Sequence, residues 1–197
     1  MTAGTAVPWS PTSPDSLVGD SGNPADWPAA QAKPPSLAGA YGTNMIKAIV
    51  TLIRYEDWVW SHPNPTLVDN YMVPGGNVYS DELKVVTQLV RKGWHTDPSP
   101  SEIDWVGVTV LPAPLRLING KIAYVNGHIA YKPASVNIVI RQRVDRYLNN
   151  QDQTVGHTPG GGKAAFSVTL NQGTDGQWKI VDIERLHVSA GLGGLVG

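Results

Sequence analysis

The chain contains no cysteine. Disulfides, thiolate zinc sites and cysteine nucleophiles are therefore all excluded. Charge is scarce as well: 16% of residues are charged and the formal net charge is −1, so no long-range field draws nucleic acid or acidic lipid. No run approaches the roughly 18 apolar residues that a bilayer span needs. The first residues lack the basic, apolar, small-residue order of a signal peptide. The five histidines stand apart, with no His-x-His or His-x-x-x-His spacing, so no metal site is expected. There is also a single Phe, against seven Trp. Trp brings wide flat contact area with one polar handle, which suits interfaces as well as cores.

Glycine and proline, by contrast, are abundant, at 21 and 16 of 197 residues, which points to long irregular segments. Seven of the prolines fall in residues 1–42, with only four charged residues among them. Proline fixes φ and removes a donor, so this stretch reads as an extended Pro-rich arm. It is either a disordered linker or an arm that wraps a neighbouring subunit, for which Trp9, Trp27 and Tyr41 are the large apolar side chains.

Residues 43–187 carry the periodicity of one α+β domain. Ile46, Ile49, Val50, Ile53 and Trp60 recur at helical spacing, with Thr43 or Asn44 as cap, and predict a helix over 44–61. Asn64–Pro65 opens a short second helix carrying Leu67, Val68, Tyr71 and Met72. A third helix is predicted over 80–92, with Leu83, Val86, Leu89 and Val90 inward and Gly93 at its end. The period then changes to two. Strands are predicted over 105–111, with Val106, Val108 and Val110 on one face, then over 136–147 as one long strand, 164–170 and 177–187. Asp175–Gly176 supplies a tight hairpin turn, and residues 188–197 a flexible tail.

An insertion at 112–133 contains a tandem heptad, Ile118-Asn-Gly-Lys-Ile-Ala-Tyr124 followed directly by Val125-Asn-Gly-His-Ile-Ala-Tyr131. Each copy places an Asn-Gly turn signal before an apolar-aromatic triplet. Strands between turns so close are too short to stand alone and need a partner surface. Either the segment extends the edge of its own sheet, or residues 118–131 form a β-finger that meets another chain through Asn119, Gly120, Tyr124, Asn126, Gly127 and Tyr131.

The order of three helices and then strands, closed by Asp175-Gly-Gln-Trp-Lys-Ile-Val-Asp-Ile183, resembles the nuclear transport factor 2-like superfamily. The segment Ile53-Arg-Tyr-Glu-Asp-Trp-Val-Trp-Ser-His-Pro63 is similar to uncharacterised actinobacterial members. The resemblance implies a cone-like fold, three N-terminal helices packed on a curved antiparallel sheet. It hosts isomerases, cyclases and dehydratases, and also non-catalytic assembly domains of secretion and conjugation machines, so fold alone does not decide function.

An isomerase-type enzyme needs a general base inside the cone and a polar group for the oxyanion. The weak catalytic candidates are Asp57, Tyr55, Asp104 and Asp182, with Tyr71 and His95 beside them. Asp57, between Ile53 and Trp60, either faces the cavity or bonds backbone groups as a partly buried cap. Gly160–Gly162 before Lys163 lacks the Ser/Thr and strand-to-helix context of a phosphate loop. Arg141, Arg143 and Arg146 alternate across faces and read as a salt-laced strand end rather than a nucleic-acid footprint. No cofactor is implied. The expectation is a non-catalytic structural or interaction subunit, a homo-oligomer or part of a larger assembly joined through arm and finger. A phage virion component is one version; a secretion, conjugation or envelope complex is its neighbour. The alternative is a small-molecule isomerase, cyclase or binder using the cone cavity. An apolar, filled interior fits the first class and a carboxylate-lined pocket the second. The location follows the assembly: virion or cytoplasm, or envelope if an anchor is attached.

Overall fold

A computed structural model describes residues 33–97, 101–125, 127–141, 146–157 and 163–186. Trp9 and Trp27, Asn126, Arg143, the glycines at 160–162 and the tail lie outside the described residues. The fold is α+β, its strands paired antiparallel. Helix α1, Met45–Ser61, starts at Asn44, whose side chain accepts the amide of Lys47 at 3.0 Å. Eleven of its 17 residues are buried, so both of its sides are covered. The expected second helix is a 3-10 helix, Pro65–Asn70, with Asn64 as cap and Pro65 in the first turn. Helix α2, Tyr79–Lys92, ends on Gly93, whose φ of +62° closes the last turn as glycine does most easily. One expectation for its faces is corrected. Val90 is 49% exposed, and Glu82 is buried in its place. Residues 78, 82, 86 and 89 form the inner stripe, and 90 lies to one side of it.

Nine strands follow: β1 Trp94–Thr96, β2 Glu102–Val110, β3 Tyr124–Val125, β4 His128–Ile129, β5 Ala134–Arg141, β6 Arg146–Asn149, β7 Thr154–His157, β8 Lys163–Gln172 and β9 Trp178–Leu186. The main sheet has the order β2-β5-β8-β9 and a smaller one the order β1-β6-β7. The long strand expected over 136–147 is described at its two ends, residues 142–145 lying outside the described residues. Its first part belongs to the main sheet and its second part to the smaller one, because the second part finds its partner in Trp94–Thr96. Alternation along β5 buries Ala134, Val136 and Ile138 against α1. Along β2, Val106 and Val108 reach the core, but a register shift beside Val110 leaves that residue half exposed.

The end of the segment read as an arm is docked. Leu37–Ala40 form a 3-10 turn with Gly39 and Ala40 buried. The Gly42 carbonyl accepts the indole N–H of buried Trp178 at 2.7 Å, and Tyr41 bridges to Gln177. Gly39 is tied to its place by contact, since a Cβ there would overlap the Thr51 hydroxyl. No helix among the described residues is long and apolar enough to cross a membrane.

Candidate functional site

Two places depart from ordinary core or surface chemistry, and they lie at opposite ends of the β2–β5 ladder. The first is the insertion that connects these strands. It does not extend the main sheet. β3 and β4 pair only with each other, through the turn at Gly127, φ +81°. Residues 113–117 pair with both neighbours, at Arg116↔Ile122 and Pro114↔Tyr131. The three segments meet in a closed ring of hydrogen bonds. Leu115 N–H donates to the Ala130 carbonyl at 2.7 Å, Ala130 N–H to Ala123 at 2.9 Å, and Ala123 N–H to Leu115 at 2.8 Å. Ala123 and Ala130 are equivalent positions of the heptad repeat, so the repeat supplies two of the three members.

The outside of this finger is apolar. Of the eleven exposed large hydrophobic side chains among the described residues, eight lie between 110 and 129, with Ile118 and Leu111 the barest. The repeat's two tyrosines part company. Tyr124 is 63% exposed, whereas the ring of Tyr131 packs against Trp178, centroids 6.2 Å apart, and anchors the base. Asn119 accepts the amide of Lys121, and Gly120, φ +77°, makes the turn at the tip. Arg116, Lys121 and Lys132 give the finger a positive charge with no acidic residue from 105 to 144.

The second place is a cavity of about 190 Å³ at the other end of the ladder. Ile53, Glu56, Asp57, Trp60, Thr96, Asp97, Ser101 and Ile140 line it. Asp57 accepts the Ser101 amide at 2.8 Å and its hydroxyl at 2.7 Å. It therefore caps the entry to β2, where a cap on a neighbouring helix start was the structural role weighed for it, while still lining the cavity. Asp97 is held by Arg146. Behind Trp60 lies Glu82, whose carboxylate accepts the Trp60 indole N–H at 2.6 Å and the hydroxyl of buried Tyr71.

Glu56 completes the group. The residue is half-buried and lines the cavity. Burial drives that carboxyl well above the ordinary carboxylate range, and the charges of Glu82 and Asp57 add to the effect. Burial raises Glu82 too, but its two donors pull it back. Of the two, Glu56 is pushed up with no donor to offset it, whereas Glu82 has two donors and sits in the positive first turn of α2. Burial and the adjoining Glu82 push the Tyr71 phenol upward, so it stays a donor.

The other sequence candidates fall elsewhere. Tyr55 is buried, accepts a hydrogen bond from Asn70 and does not line the cavity. Asp104 pairs with Lys163 at 3.1 Å and with Arg141 on the sheet, part of the expected salt-laced strand end. Asp182 accepts from Asn77, and His95 faces Asp152. Glu56 and Glu82 were missed by sequence reasoning. The signal was present: each is a carboxylate on the apolar stripe of its helix, at 53-56-60 and at 82-86-89. Among the described residues no three His, Cys, Asp or Glu converge as a metal set. Compared with family models and with curated proteins, the chain matches none significantly.

Proposed function

We propose that the protein is a non-catalytic interaction subunit that assembles through its finger, with other copies of itself as the first partner. The observation that carries this is the concentration of exposed apolar side chains on a self-braced projection. Monomeric proteins seldom keep so much apolar surface together without a use for it. A finger closed by its own hydrogen-bond ring presents that surface ready-shaped, which lowers the entropy lost on docking. The cone-like arrangement of a nuclear transport factor 2-like scaffold is part of this reading. The helical layer followed by antiparallel strands supports it. A virion component of an actinobacterial phage is the form we favour, and a secretion or conjugation complex is the neighbouring form.

Sedimentation of the full chain across concentration tests it. The intact protein is expected to associate, and Leu117→Ser with Ile118→Ser to shift it to monomer without lowering its melting temperature. A monomer at every concentration, unchanged by the substitutions, would overturn self-assembly. A second reading has its own observation: the carboxyl-lined cavity favours small-molecule binding, and the two readings are compatible in one chain.

A further inference from the structure

The cavity presents a carboxyl that the protein itself does not pair. Asp57 is engaged by Ser101, Asp97 by Arg146, and Glu82 by Trp60 and Tyr71. Glu56 receives no hydrogen bond from any described residue, and it lines the cavity. Among the described residues no lysine or arginine lines the space, and one side of it is hydrocarbon and indole from Ile53, Ile140 and Trp60. We propose that this cavity binds a small organic monocation, a short primary alkylammonium, with its ammonium on Glu56 and its chain against Trp60, Ile53 and Ile140.

Charge, shape and size agree. A partly desolvated carboxylate gains from a cationic partner, and no described side chain supplies one to Glu56. A bare metal ion would leave the apolar wall unused, and the described carboxylates do not converge on a metal position. An ammonium beside Trp60 also gains from the ring face. At about 30 Å³ per water-sized group, 190 Å³ holds roughly six such groups, the size of a four- or five-carbon amine.

Proton linkage follows. Glu82 and Asp57 face Glu56 with negative charge, Tyr71 is held on Glu82, and Asp97 is offset by Arg146. Unliganded Glu56 therefore keeps its proton to higher pH than an ordinary carboxylate, and an arriving cation favours the release of that proton. Affinity rises with pH until the amine itself loses its charge, near the ordinary lysine value of about 10.

The inference rests on the small-molecule reading and is independent of finger docking. It is tested by calorimetry on the full chain near neutral pH, with n-butylammonium and its neutral counterpart n-butanol, in two buffers of different ionisation heat. Butylammonium is expected to bind with net release of protons, and butanol at least about tenfold more weakly. Glu56→Gln should cut amine affinity by about tenfold or more and remove the proton release. Ile140→Trp fills the cavity without touching a carboxyl and should abolish binding, which keeps the test open if Glu56→Gln fails to fold. Equal binding of amine and alcohol, undiminished binding in either variant, or no amine binding in the intact chain would each overturn the proposal.

Discussion

Glu56 and Glu82 occupy positions that helical periodicity reserves for apolar side chains, and the consequence is measurable as a pH dependence. Glu56 has a folded-state pKa above its unfolded value. Below the ordinary carboxylate range both states are protonated and nothing is lost. As pH rises from there, the unfolded chain releases the proton while the folded one keeps it, so stability falls up to the raised pKa and then levels. Urea denaturation of Glu56→Gln across that window should give a flatter profile than the intact protein, with the variant relatively more stable at the high end. Parallel profiles would contradict this. Tyr71→Phe takes one donor from buried Glu82 and should lower stability near neutrality by about 1–3 kcal/mol, read from the urea midpoint. Much of this site was legible in principle. Asp57 was placed between Ile53 and Trp60, where it indeed faces the cavity. Its partner Ser101 was not legible, because that contact joins residues 44 positions apart.

At the scale of elements, local signals carried further than distant ones. The Asn44 and Asn64 caps, the glycine after α2 and the two Asn-Gly turns follow from backbone preferences of a few neighbouring residues. The placing of β6 in the smaller sheet does not, since it rests on pairing with β1, which is distant in the sequence. The ring that closes the finger is equally non-local. It makes a prediction for Gly120→Ala and Gly127→Ala. Each places a Cβ at positive φ, at a cost of about 1 kcal/mol. The finger amides of Leu115, Ala123 and Ala130 should then exchange with solvent faster, and together, because opening any arm breaks two of the three bonds. Amides of β8 should be unaffected. Gly39→Ala acts on the opposite kind of element, a packed one. Overlap with Thr51 should cost about 1–3 kcal/mol, seen as a lower melting temperature.

For the molecule as a whole, the β2–β5 ladder sets the distance between its two unusual ends. Its nine-residue strand is roughly 30 Å long at about 3.4 Å per residue, with Glu102↔Arg141 at the cavity end and Val110↔Ser135 at the finger end. Association and ligand uptake should therefore be separable. Leu117→Ser with Ile118→Ser should change the sedimenting mass but leave butylammonium affinity within about twofold, since sites this far apart with no shared partner behave additively. Affinity lost in step with mass would show instead that the cavity is completed between subunits. If the fingers join copies at one end, the cavities are left facing outward at the other. An assembly of this kind would be a lattice of evenly spaced receptors, and a polyamine or a surface studded with amines would meet it with an avidity that no single cavity has.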